Sequence, residues 1–225
     1  MISRRAKALF YSVAGPLMRV SAAFYRVTQA PPTGGSERVR VHLGPGQRNY
    51  LPGWINVDAN RFTGKCDVWA DLSLGLPFRD ASVDAVYSHH VIEHLPDLAG
   101  HLAELFRILK PGGVVRIGGP NGDAAMREYL AGNSAWFSDF PDRRSSIGGK
   151  LENYIFCRRE HLTILTPSFL EELLLSVGFA EMAVVLPVTE TQHPAFFDAP
   201  VMALEWESTP SSPHTLLMEA RKPNA

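Results

Sequence analysis

Between Val39 and Asp58 the chain sets out two short apolar runs, each ending on a residue suited to meeting a ligand. Val39-Arg40-Val41-His42-Leu43 has the β-branched content of a strand and breaks at Gly44-Pro45-Gly46. A second run, Trp54-Ile55-Asn56-Val57, stops on Asp58. In an open α/β sheet, glycines after the first strand let the backbone come close to a bound group. A carboxylate after the second strand can accept hydrogen bonds from both hydroxyls of a ribose.

The pattern departs from the dinucleotide fingerprint G-x-G-x-x-G in two ways. Position 49, where the third glycine belongs, is Asn49, and Asp58 arrives too early for a full strand-helix-strand crossover. The cradle for a pyrophosphate is therefore missing. A group with a ribose and no phosphate fits better, and S-adenosylmethionine is the common one.

Further motifs follow in order. Ala70-Asp71-Leu72 precedes a loop, and Leu76-Pro77-Phe78-Arg79-Asp80-Ala81-Ser82-Val83-Asp84-Ala85-Val86-Tyr87-Ser88 leads into a strand that ends before His89-His90-Val91-Ile92-Glu93-His94-Leu95. Leu109-Lys110-Pro111-Gly112-Gly113-Val114-Val115-Arg116-Ile117 comes after a helical stretch. From Val39 to Pro120 this series resembles the class I S-adenosylmethionine-dependent methyltransferases, and more narrowly the small bacterial methyltransferase-domain (type 11-like) proteins. The resemblance implies a Rossmann-like, open, mostly parallel seven-stranded sheet flanked by helices, with S-adenosylmethionine as cofactor.

A chain of 225 residues suits one domain with an appendage. With 22 basic against 23 acidic side chains there is no global basic field, so no nucleic-acid partner is expected. Cys66 and Cys157 are far apart and form no C-x-x-C pair, which argues against a disulfide framework or structural zinc and suits a reducing cytoplasm. The skewed region is residues 1–36. Arg4, Arg5, Lys7, Arg19 and Arg26 interleave there with Leu9, Phe10, Tyr11, Val13, Leu17, Phe24 and Tyr25, and no acid precedes Glu37. Such a basic amphipathic extension either lies on an anionic membrane, at its inner face, or packs over the cofactor site or the domain's flank. Gly15-Pro16 and Arg19 interrupt the run and argue against a secretory signal. Gln29 to Ser36 reads as a linker into a domain spanning 37–222.

Strands are expected at 38–43, 54–58, 67–70, 83–88, 113–118, 181–187 and 214–220, and helices at 97–110, 122–131 and 167–177. Only Gln47 to Trp54 separates the first strand's glycines from the second strand, shorter than a parallel crossover usually needs. The resembling proteins share that short connection, so a first crossover without a proper helix is expected. In Lys110-Pro111-Gly112-Gly113, proline presets the dihedral for the second position of a type II turn and glycine allows the third.

By resemblance, Gly44 and Gly46 line the amino-acid and ribose portion, Asp58 holds the ribose diol, and Asp71 with the Leu72 amide reads the adenine edge. Ser88 and His89 approach the methionine end. Each has a plainer reading: the glycines make a turn, Asp58 is a loop acid, and Asp71 caps a turn at Ser73. His42 stands where many relatives carry an acid, which leaves the methionine ammonium unassigned.

His90-Val91-Ile92-Glu93-His94 matches the zinc-binding H-x-x-E-H pattern literally. That site needs a sustained helix and a third ligand, yet Leu95-Pro96 follows at once. No metal is expected, and Glu93 and His94 read as structural.

Methyl transfer from a sulfonium is an in-line displacement with a neutral leaving group, so alignment and desolvation suffice and no nucleophile is needed. A hydroxyl acceptor would gain from a base, and among His89, His90, His161 and Asp123 the preferred candidates are His89 and His161. Acceptor recognition is expected from Asn121 to His161, with Trp136-Phe137 and Phe140-Pro141 as an apolar wall, Arg143-Arg144 and Arg158-Arg159 for an acidic group, and the tail at Thr189 to Pro194 reaching in. A small molecule or a glycan, methylated on oxygen, is the expected acceptor. The competing readings are a nicotinamide dehydrogenase, disfavoured by Asn49 and Asp58, and a noncatalytic binding module docking through its basic N-terminus.

Overall fold

The computed structural model describes residues 4–28 and 38–224. The expected linker at 29–36 lies outside them. Helix α1 (Arg4–Thr28) comes first, followed by strands β1 (Arg40–Leu43), β2 (Ile55–Asp58), β3 (Val68–Trp69) and β4 (Val83–His89). Helix α2 (Leu98–Ile108), strand β5 (Leu109–Pro120) and helices α3 (Gly122–Leu130), α4 (Ile147–Phe156) and α5 (Pro167–Ser176) follow. Strand β6 (Ala180–Val185), the short α6 (Ala199–Met202) and β7 (Thr215–Arg221) complete the order.

The seven strands form one sheet in the order β3-β2-β1-β4-β5-β7-β6. All pairs from β3 to β5 are parallel, and β7 runs antiparallel to both β5 and β6. Alternation along the strands builds two cores. Val41, Leu43, Val57, Val86 and Ile117 face a layer of α2 and α5 supplied by Leu102, Leu105, Ile108, Leu170 and Leu174. Ala85, Tyr87 and Val114 face the other way, onto Leu51, Trp54, Phe197 and Val201.

Local chemistry sets the helix starts. The side chains of Asp97, Asn121, Ser146 and Thr166 accept backbone hydrogen bonds at the heads of α2, α3, α4 and α5, and Pro167 opens α5. Helix α2 buries Leu98, Leu102 and Leu105 on one face. Each such leucine contributes about 1.5–3 kcal/mol by leaving water. It stops at Ile108, two residues before the expected end, and β5 already begins at Leu109. Gly112 at φ +76° supplies the turn predicted at Pro111-Gly112.

The first crossover has no helix, as expected from its length. Asn56 explains how it holds. Its Nδ2 donates to the carbonyls of Leu51 and Trp54 at 2.9 Å each, and its Oδ1 accepts from the Leu51 amide at 2.9 Å. One buried amide thereby satisfies the loop groups that a helix would have satisfied internally.

Helix α1 lies against the β3 side of the sheet. Ala14 and Met18 are buried, Tyr25 meets Phe78 edge-on at 5.7 Å and Phe10 meets Phe62 at 6.2 Å. Its outer side exposes Leu9, Val13, Leu17, Val20, Phe24 and Val27. No helix among the described residues is long and apolar enough to cross a membrane.

Candidate active site

Two cavities open at the ends of the parallel strands, where ligands bind in sheets of this kind. The first holds about 540 Å³, and Gly44, Asp58, Asp71, Leu72, Val91 and Tyr11 are among the residues that line it. Asp58, at the end of β2, accepts the Gly46 amide on Oδ2 at 2.8 Å and the Asn60 amide on Oδ1 at 2.7 Å. The acid is held rigidly, with lone pairs left on both oxygens for a diol. Asp71 accepts the Ser73 amide and hydroxyl on Oδ1 at 2.9 and 2.7 Å, so it does cap that turn, while it also faces the cavity. Gly44 sits at φ +72°, and a Cβ there would lie 2.3 Å from Val91 Cγ2. Tyr11 brings α1 over the opening, the packing alternative among the two expectations for the N-terminal extension.

The second cavity, about 560 Å³, is lined by Trp136, Phe137, Phe140, Tyr154 and His161 from the α3–α4 region and by Trp206 and His214 from the segment before β7. Trp136 stacks on His214 at 4.1 Å with only 10° between the rings. His214 in turn lies 3.0 Å from Glu207 Oε1 through Nδ1 and 2.7 Å from the Trp136 carbonyl through Nε2. His161 Nδ1 donates to the Ile155 carbonyl at 2.9 Å, which leaves Nε2 as a lone-pair nitrogen, and burial lowers its pKa. His90 borders both cavities. Its Nδ1 lies 3.1 Å from Glu93 Oε1 and its Nε2 3.1 Å from Thr215 Oγ1.

A methyltransferase-domain family model matches residues 57–117, which run from β2 to β5. In the solved structure of a Thermotoga maritima protein described as an S-adenosylmethionine-dependent methyltransferase, possibly a histamine N-methyltransferase, the same fold covers 94% of both chains at a TM-score of 0.55 and 20% identity. This is the class I methyltransferase fold. An S-adenosylmethionine-dependent methyltransferase of Archaeoglobus fulgidus shares it over 96% of this chain and 99% of its own at a TM-score of 0.51 and 17% identity. Among curated proteins, a probable S-adenosylmethionine-dependent methyltransferase of Mycolicibacterium smegmatis is 54% identical over 46 residues, 20% of this chain and 18% of that protein. A sterol 24-C-methyltransferase of Aspergillus fumigatus is 54% identical over 39 residues, 17% of this chain and 10% of its own. The chain thus aligns with less than a fifth of these curated relatives' lengths.

Within the methyltransferase fold, several expected residues stand elsewhere. Ser88 is fully buried inside β4, paired with Leu43 and Ile117, and does not line the first cavity. His89 lines neither cavity; its ring stacks on Tyr87 at 6.2 Å. Burial, reinforced by His90 and Arg116, holds its pKa well below the ordinary histidine value. The reason is strand parity: β4 runs through His89, which shares a face with Tyr87, and the chain turns only at His90 with φ +55°. His90 takes the position between the cavities.

Other corrections follow from charge pairing. Arg143 lies 3.8 Å from Asp139, Arg144 pairs with Asp142 and Glu152, and Arg158 pairs with Asp142, and none of the three lines the second cavity. The Thr189–Pro194 tail turns to the opposite end of β7, where Thr191 Oγ1 and the Gln192 amide donate to Glu219 at 2.8 and 2.7 Å. Trp206, Glu207, His214 and Thr215 line the cavity instead, and no periodicity or motif marked them. His42 is buried on Tyr87 and 3.1 Å from Asn56 Oδ1, and burial lowers its pKa to about 4. It is a neutral core residue. The H-x-x-E-H stretch forms one 3-10 turn, Ile92–His94, and not a sustained helix.

Proposed function

We propose that the protein is an S-adenosylmethionine-dependent methyltransferase that methylates a hydroxyl of a small molecule or glycan. His90 carries the reading, because it is shared by a cavity lined by Asp58, Asp71 and Leu72, to which the reading gives the ribose and adenine edge, and a cavity with aromatic walls. A donor in the first cavity would point its sulfonium methyl across that wall. Phe140 and Trp206, exposed at the second cavity, offer apolar faces of the sort that hold sugar rings, with Glu207, Ser208 and Thr209 beside them for hydroxyls. Activation of the acceptor hydroxyl falls to the imidazoles of the wall, His161 and His90, rather than to His89. Titration calorimetry with S-adenosylhomocysteine and with NAD, followed by an acceptor screen using methyl-labelled donor, tests this. Binding of NAD in preference to the adenosyl ligand would refute it.

The exposed apolar outer stripe of α1 supports a second element of the reading: peripheral contact with an anionic membrane, at its cytoplasmic face; Arg19 and Arg26 lie on the domain-facing flank, in the cleft with Asp71 and Pro77, where Arg26 is 3.7 Å from Asp80. Co-flotation with phosphatidylserine vesicles, lost in Leu17→Glu with Phe24→Glu, is the expected outcome. Equal flotation of wild type and the double variant would remove it.

A further inference from the structure

Glu93, His94 and His161 meet in the wall between the two cavities, and one potential ligand atom from each lies within 4.8 Å of the others. From this convergence we propose a binding site for a first-row divalent transition cation, with an open coordination position toward the acceptor cavity.

Three observations carry it. Glu93 is 1% exposed and its Oε2 has no hydrogen-bond partner, although a buried carboxylate oxygen left unpaired is costly. Next, both histidines are oriented as metal ligands are. His94 Nδ1 donates to the Glu160 carbonyl and His161 Nδ1 to the Ile155 carbonyl, each at 2.9 Å, which fixes the tautomer and turns the Nε2 lone pair outward. His94 Nε2 stands 3.7 Å from Glu93 Oε1, and the two histidine rings are 5.0 Å apart. Finally, β5 makes room for the acid through Gly119, where a Cβ would come within 2.8 Å of Glu93 Oε2.

Two imidazoles and a carboxylate match Zn²⁺, Fe²⁺ or Mn²⁺ better than the all-oxygen sites of Ca²⁺ or Mg²⁺. Ligand bonds of about 2.1 Å put ligand atoms roughly 3–3.5 Å apart, so the cluster must close by about 1 Å. His94, whose side chain is 42% exposed, has the freedom to do so. His90 would keep its hydrogen bond to Glu93 Oε1 and so orient the carboxylate. His161 thus supplies the third ligand that the local H-x-x-E-H stretch lacks, from a separate segment of the chain.

The consequence for chemistry rests on the methyltransferase reading. His161 faces the acceptor cavity and His94 the cofactor cavity, so a cation between them would bind the acceptor oxygen and lower its pKa, as bound water is acidified. With the cation bound, His161 serves as its ligand and not as the base: the hydroxyl proton leaves to solvent, the oxygen forms its bond to the methyl carbon as the carbon–sulfur bond breaks, and sulfur departs with the electron pair as a neutral thioether.

The test uses the full chain after chelator treatment, titrated with Co²⁺ and read by visible d–d absorption. One equivalent with bands of low-symmetry N/O coordination is expected, with affinity reduced by at least about tenfold in His94→Ala and in His161→Ala. Thermal melting confirms that each variant is folded. For any variant that is not, a rise in the wild-type melting temperature with Zn²⁺ but not Mg²⁺ is the second reading. Absence of bands and of a Zn²⁺ shift in the wild type overturns the proposal, as do bands unchanged in both folded variants or carrying thiolate charge transfer. S-adenosylhomocysteine binding, measured on the same metal-free protein, fails or succeeds independently and so tests the methyltransferase reading separately.

Discussion

Gly46 gives its amide hydrogen to Asp58 Oδ2 across 2.8 Å, so the loop after β1 and the end of β2 are tied together beside the first cavity. With the Asn60 amide on the other oxygen, the carboxylate is oriented before any ligand arrives, which removes part of the ordering cost of binding.

Asp58→Ala removes the carboxylate that the proposed function assigns to a ribose diol. Two hydrogen bonds to a charged group, at about 1.5–3 kcal/mol each, correspond to a Kd for S-adenosylhomocysteine raised about 100-fold or more. Calorimetry on the variant checks this, and an unchanged Kd would remove Asp58 from the site.

The two glycines of the loop should respond differently. Gly44→Ala adds a Cβ that must displace Val91 from 2.3 Å, whereas Gly46→Ala, at φ +57°, meets nothing within 4 Å. The second therefore costs only left-handed strain of about 1–2 kcal/mol. Gly44→Ala is expected to weaken S-adenosylhomocysteine at least tenfold more than Gly46→Ala does. Equal losses would show that Val91 does not shape the cavity.

Arg116 is expected to be the most sensitive structural position. Its guanidinium grips Glu205 through Nε and Nη2 at 2.6 and 2.7 Å and reaches Glu219 through Nη1 at 2.6 Å, with all three side chains fully buried. Arg116→Met strands two acids and should cost about 3–5 kcal/mol in urea unfolding. Adding Glu205→Gln and Glu219→Gln should recover part of that loss; a single variant as stable as wild type would contradict the pairing.

His101 and His42 set an acid limit. Burial lowers both pKa values to about 4, against about 6.5 unfolded, so between those values the unfolded chain binds more protons. Their contribution is complete above pH 6.5 and is lost as pH falls towards 4, on the order of 3 kcal/mol each. His101 Nδ1 donates to the Leu72 carbonyl at 3.2 Å, and His101→Asn should flatten the slope of stability against pH in that window by one proton's worth. An unaltered slope in the variant would show that His101 does not titrate there.

Much of the sheet was legible because strand-length apolar runs and turn residues coincide from Val39 to Ile117. Helix α4 was not, since Ile147-Gly148-Gly149 opens it with two glycines, each costing about 1 kcal/mol against alanine, and only the Ser146 cap marks its start. At the candidate site, Gly44, Asp58, Asp71 and Leu72 line the first cavity from strand ends, where the sequence put them, whereas Gly46 does not line it and instead ties the loop to Asp58 through its amide. His89 and His90 were not separable, because which of two adjacent histidines faces the cavity depends on the residue at which β4 stops pairing. The second cavity draws Trp136, His161 and Trp206 from three segments whose meeting is tertiary and leaves no local pattern.

The insertion of β7 between β5 and β6 carries a kinetic price. Arg116 and Glu219 are 103 residues apart in sequence, so the antiparallel side of the sheet closes only through a contact of long loop length. Until Thr215–Arg221 docks, β5 has a naked edge along Val114 to Pro120, β6 has no neighbour and the Arg116 charge has lost one of its two acids. The slowest step in maturation should therefore be the docking of this strand, and a chain caught before it would be a target for aggregation and chaperones even though both parallel strands flanking the cofactor loop were already in place.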